Sequence, residues 1–132
     1  MYLKISKFLE KLSFKLRQKG LYFELKHYIV KGESHLTPTY NYTRGIGKTY
    51  TLLQLAHKYD CPIVVRDNRD ARRIADESQY MFNKPVKTIV ASDRCRGMRY
   101  SLLLCEQGID NRLIHEVIRP MCKQIVGYEF WY

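Results

Sequence analysis

The residues best equipped for chemistry stand together in Thr43-Arg44-Gly45-Ile46-Gly47-Lys48-Thr49, immediately before a helical pattern. Closely spaced glycines let successive backbone N–H groups face one point, and the positive end of a helix dipole adds to them. Such a turn can cradle phosphates. Lys48 would then reach the β and γ phosphates of a nucleotide, and the Thr49 hydroxyl would bind Mg²⁺. Tyr50, with Tyr40 and Tyr42 on the other flank, offers a ring on which a base could stack. The candidate cofactor-binding set is Thr43, Gly45, Ile46, Gly47, Lys48, Thr49 and Tyr50, for ATP or GTP carried with Mg²⁺. The fullest form of this pattern has Gly where Tyr42 stands, and a plain structural turn is the competing reading.

A second group follows downstream. Leu102-Leu103-Leu104-Cys105-Glu106 is an apolar run that ends in a carboxylate, as expected of a buried strand delivering an acid to a site. Glu106 would either orient an attacking water or hold the metal, and Asp110 is the nearest carboxylate that would take the other role. Arg94, Arg96 and Arg99 gather in one turn, and Arg66, Arg69, Arg72 and Arg73 at the start of a helical pattern. Either cluster could take nucleic-acid backbone or a nucleotide phosphate, without reading sequence; solvated surface charge is the plainer interpretation. His27, His35, His57 and His115 show no metal-ligand spacing. No metal is expected beyond Mg²⁺ on the nucleotide.

Positioning these groups requires an alternation of strands and helices. Residues 48–59 place Leu52, Leu53, Leu55 and Ala56 on one face, and a β-branched strand follows at 63–65. Asn68 opens a helix that Pro85 stops, and strands follow at 86–91 and 100–106. Asp110 then caps a helix through Ile118, and residues 124–131 form a last strand. Strand–helix alternation of this kind implies an α/β layered domain with a mainly parallel sheet. The strand that should precede the phosphate loop falls in residues 36–42, which are short and polar. Upstream, residues 2–18 read as an amphipathic helix ended by Gly20, and residues 21–30 are ambiguous between helix and strand.

The chain of 132 residues accommodates one domain, divided here into a basic helical segment (1–31) and an α/β core (36–132). Its 23 Lys+Arg against 13 Asp+Glu give a formal charge of +10. That balance favours anionic partners and excludes an acidic nucleic-acid mimic. Eight cations against Glu10 and Glu24 put six of those ten charges in residues 1–31. The four cysteines form no C-x-x-C pair, which fits reduced thiols in the cytoplasm, and no apolar run is long enough to span a bilayer.

The loop and the Glu106 strand together resemble a P-loop NTPase, and the form T-R-G-I-G-K-T is similar to the deviant Walker A loop of phage DNA-packaging ATPases. The resemblance implies a three-layer P-loop core and tolerates Tyr42. It assigns Arg44 as a cis finger that steadies transition-state charge, a role suited to a forked guanidinium. In its terms Lys48, Arg44 and Glu106 are the catalytic residues, and Thr49 and Glu106 the metal side. It also exposes a departure, because Cys105 stands where the Walker B aspartate belongs, and neither the family's coupling motif nor its nuclease domain has a counterpart. The implied protein is a small phage-encoded nucleotide binder with weak ATPase activity, acting with nucleic acid in the host cytoplasm. The alternative is a non-enzymatic basic module that grips DNA, RNA or a host nucleoprotein complex, such as an inhibitor of a defence system. A third reading puts the function in residues 1–31, as a basic membrane-surface or partner-binding helix.

Overall fold

The computed structural model describes residues 2–39 and 47–130. Five strands form one all-parallel sheet: β1 (His35–Thr39), β2 (Ile63–Val65), β3 (Thr88–Val90), β4 (Tyr100–Cys105) and β5 (Cys122–Phe130), in the spatial order β1-β5-β4-β2-β3. Three helices, α1 (Tyr2–Lys31), α2 (Lys48–Tyr59) and α3 (Asn68–Phe82), cover one face. The other face carries a 3₁₀ turn at Asp93–Cys95 and a helical segment. That segment begins as α4 (Asn111–Leu113) and continues as a π turn (Ile114–Ile118) and a 3₁₀ turn (Arg119–Met121).

Side-chain alternation along the strands explains the layers. Ile63, Val65, Leu104, Val126 and Tyr128 point towards α1–α3, whereas Val64, Leu103, Cys105 and Ile125 point to the opposite face with Ile114, Val117 and Ile118. Strands buried on both faces need apolar residues at every position, and the I-V-V and L-L-L-C runs meet that need. The chain moves outward through α2 and α3 on one face and returns through helical turns on the other, as right-handed crossovers require. Pro38 lies in β1, which pairs only with β5 and so sits at an edge, where the lost N–H is tolerated.

Three local devices fix the frame. Asp67 caps α3 by accepting a 2.8 Å hydrogen bond from the Asp70 amide. Gln124 of β5 donates at 2.9 Å to the carbonyls of both Tyr28 and Glu33, tying the end of α1 to the sheet. Gly127 has φ of 155°, and a Cβ there would collide with the backbone of Cys105 on the neighbouring strand. Only glycine lets β4 and β5 approach so closely at the ends that build the site.

Two expectations about the first segment change. Gly20 does not end the helix, and residues 21–30 are helical: α1 runs unbroken for 30 residues and closes at Gly32, which adopts φ of 73° while the Glu33 amide bonds back to the Tyr28 carbonyl at 3.0 Å. Leu21, Leu25 and Ile29, spaced by four, are buried against α2 and β5, and this packing outweighs the weak helix propensity of one glycine. Downstream, helical structure runs through Met121 instead of stopping at Ile118, because Pro120 sits at the start of a new 3₁₀ turn, where its missing N–H is not needed.

The two glycines should therefore respond oppositely to alanine. Gly20 is exposed and a Cβ there meets nothing, so Gly20→Ala is expected to raise unfolding free energy by about 0.5–1 kcal/mol. Gly127→Ala is expected to lower it by about 2 kcal/mol or more. Urea midpoints at constant slope measure both.

Candidate functional site

In an all-parallel sheet the carboxyl ends of the strands share one edge, and side chains that follow them converge there. Glu106 follows β4 directly, Arg66 follows β2, and Ala91 follows β3. Residues 40–46 follow β1. Thr43, Arg44, Gly45 and Ile46, together with Tyr40 and Tyr42, thus lie outside the described residues. Their flanks are described: β1 ends at Thr39 and α2 begins at Lys48, so a strand precedes these residues and a helix follows them.

Gly47 takes a left-handed conformation (φ 79°, ψ 32°) as the N-cap of α2. As a glycine it offers no side chain to cap this end, and the first turn of α2 contains no acid. The Gly47 carbonyl accepts 3.0 Å bonds from the Thr51 amide and hydroxyl, which hold the first turn. Buried Tyr128, from β5, donates its phenol to the Lys48 carbonyl at 3.2 Å and so fixes the start of the helix against the sheet.

The decisive contact joins α2 to β4. The Thr49 hydroxyl donates to Glu106 Oε2 at 3.0 Å, across 57 residues of sequence, while the Gln107 amide donates to Oε1 at 2.8 Å. No protein-family model, no curated protein and no solved structure matches the chain. The local geometry therefore has to be read on its own chemistry.

Glu106 is only 3% exposed. Burial pushes its pKa above the usual carboxylate range, opposed by the bonds from Gln107 and Thr49 and by the Arg73 guanidinium. Arg73, on α3, extends between the two: Nη1 lies 3.4 Å from the Thr49 hydroxyl and Nη2 lies 4.0 Å from Glu106. The same guanidinium pairs with Asp70 and Glu77, and Asp70 is shared with Arg66. A continuous polar chain thus runs from Thr49 through Glu106 and Arg73 to the largely buried Asp70. Next to it a cavity of about 590 Å³ opens at the ends of β2, β3 and β4, with Arg66, Ala91, Gly108 and Asp110 among its walls.

The structure brings Thr49 together with Glu106 and Arg73, and Lys48 and Tyr50 flank Thr49 on the first turn of α2. Tyr50 stacks on Phe82 at 5.3 Å between ring centres. Asp110 is not at this cluster: it is exposed and caps α4 through the Arg112 amide at 2.8 Å. Arg94, Arg96 and Arg99 do not converge either, since Arg96 pairs with Asp93 at 3.2 Å while Arg99 reaches the Pro120 carbonyl at 3.5 Å. Arg69 and Arg72 are exposed on α3. Asp70 was missed by the sequence reading, although its place one helical turn before Arg73 was a usable signal. Among the described residues, no group of three or more His, Cys, Asp or Glu side chains could hold a metal by itself.

Cys105 faces away from this cluster, into the apolar layer with Ile125 and Ile114, and burial pushes its thiol pKa strongly upward. The acid presented to Thr49 is thus residue 106, not 105. Cys105→Asp is expected to add nothing at the site and to destabilise the fold by about 3 kcal/mol or more, because it buries a carboxyl among hydrocarbon. Chemical denaturation checks the loss, and a stable, more active variant would contradict it.

Proposed function

We propose that the chain binds a nucleoside triphosphate with Mg²⁺ at the carboxyl edge of its sheet, on a P-loop-like three-layer core. The observation that supports this most directly is the 3.0 Å bond from Thr49 to the buried Glu106 carboxylate. It sets a hard oxygen pair beside the N-terminus of α2. Such a pair suits Mg²⁺, which accepts few protein oxygens and completes its shell with water and phosphate. The bound ion supplies charge neutralisation for the phosphates.

The chain's own residues divide the work. Lys48 and the first-turn amides of α2 hold phosphate oxygens, and Gly47 shapes the approach. Glu106 and Thr49 form the metal side, and Arg44 remains the candidate cis finger. A cation nearby reverses the burial penalty on Glu106 and favours its ionised form. With Glu106 on the metal side, Asp70 is the nearest buried acid left to orient a water, and it is held by Arg66 and Arg73. Binding is thus the primary activity, and hydrolysis is slow.

Calorimetry with Mg·ATP and Mg·GTP tests this reading. Lys48→Ala is expected to weaken binding by about tenfold to a hundredfold, the value of a charge-assisted phosphate contact. Glu106→Gln should abolish the Mg²⁺ dependence and remove the fall in apo stability as pH rises, read from urea unfolding across pH. The sign follows from the raised pKa of Glu106: its favourable contribution is full at low pH and is lost as pH rises through the folded value, and glutamine removes that loss. The absence of any nucleotide binding by the wild-type chain would remove the proposal.

The exposed Arg69 and Arg72 on the same edge favour a second reading, a basic module gripping nucleic-acid backbone. Its signature is DNA or RNA affinity that falls steeply with salt and is unaffected by Lys48→Ala.

A further inference from the structure

Helix α1 carries two apolar stripes on opposite sides. Leu21, Leu25 and Ile29 are buried against α2 and the sheet. The other stripe has no apolar partner among the described residues: Phe8 is 64% exposed, Leu9 56%, Leu12 44% and Leu16 61%. These four follow the i, i+4 and i, i+3 spacing of a single helix face. Apolar clusters rimmed by charge mark interaction surfaces, since water alone gives a helix no reason to collect them.

The charge beside the stripe identifies the occupant. Lys7, Lys11, Lys15 and Lys19 form an unbroken i, i+4 row next to Phe8, Leu12 and Leu16, and all four are exposed. Four like charges in one row repel one another unless an anionic surface lies along them. A second copy of the chain would bring the same cations to the contact. The heptad spacing of Leu9, Leu12 and Leu16 also breaks where its next position falls on Lys19, so a coiled-coil seam would have to bury an ammonium. At a lipid interface the same lysines keep their heads among the phosphates while their stems lie beside the apolar stripe. We propose that the exposed face of α1 around Phe8, Leu12 and Leu16 docks the protein on an anionic bilayer surface. The helix lies in the interface without crossing it; among the described residues, none is long and apolar enough to span a membrane. The inference does not depend on nucleotide binding, although Gln18 of the same helix lies against Gly47.

Co-sedimentation of the full chain with phosphatidylcholine vesicles, with and without phosphatidylglycerol, tests the inference. Binding to the anionic vesicles should weaken with added salt, and neutral vesicles should bind about tenfold or more weakly. Leu12→Glu combined with Leu16→Glu should reduce anionic-vesicle binding about tenfold or more, with helix content and melting unchanged. Lys11→Gln with Lys15→Gln leaves the apolar stripe intact and should flatten the salt dependence. The inference is overturned if the wild-type chain ignores anionic vesicles, or if both double variants bind them as well as the wild type does. It is also overturned if light scattering finds a wild-type dimer that the glutamate pair dissociates, since the stripe would then be a self-association surface.

Discussion

A carboxylate sealed from water must be compensated by groups that reach it, and the placement of Glu106 governs how the rest of the molecule is arranged. Its two oxygens are claimed separately, one by the Gln107 amide of its own turn and the other by Thr49 from α2. Arg73 from α3 adds a positive charge at longer range. Each partner belongs to a different element, so the position of this one group fixes both helices relative to the end of β4. Tyr128 and Gly127 complete the arrangement from β5, one by pinning the Lys48 carbonyl and the other by letting β5 close on Cys105. Such a network is costly to leave half made, because any missing donor would strand charge in a low-dielectric site.

Much of this was legible in the sequence where a residue's environment is set by its neighbours in the chain. The β-branched run 63–65, the apolar run before Glu106, and the 3.6-residue spacing in α2 and α3 all report burial locally, and the strands and helices follow. The candidate pair Thr49 and Glu106 was also legible, because each sits at an element's end where a parallel sheet gathers its chemistry. What sequence could not supply was orientation about a strand axis. Cys105 and Glu106 are adjacent, and their order along the chain does not say which faces α2. Alternation sends Cys105 to the far layer, so the acid that reaches Thr49 is residue 106. Likewise Asp110 and the arginines of residues 94–99 looked available only because their local partners, a helix cap and an ion pair, are contacts that spacing alone does not display.

The misplaced end of α1 has a different physical origin. A glycine followed by an ambiguous apolar stretch satisfies the local rule for a helix stop, and an isolated peptide would fray there. The core supplies what the peptide lacks: three aliphatic side chains at i, i+4 and i+8 sink between α2 and β5, and Gln124 accounts for the carbonyls at the far end. Tertiary burial thus extends the helix on one side of Gly20, while the lysine-rich side keeps its own apolar stripe in water. A single period-3.6 pattern cannot describe a helix whose apolar face changes sides along its length.

The continuity of α1 also joins two parts of the molecule that the sequence treats as separate. Gln18 lies against Gly47, close enough that a Cβ on that glycine would meet its amide nitrogen at 2.6 Å. Gly47, at the start of α2, therefore adjoins the same helix that carries the exposed apolar row. A glycine at this position satisfies two demands at once: the left-handed backbone at the cap of α2, and the clearance for a side chain arriving from α1. Substituting it would strain that backbone and oblige the flexible end of Gln18 to move aside, so α1 as well as the core bears on the start of α2.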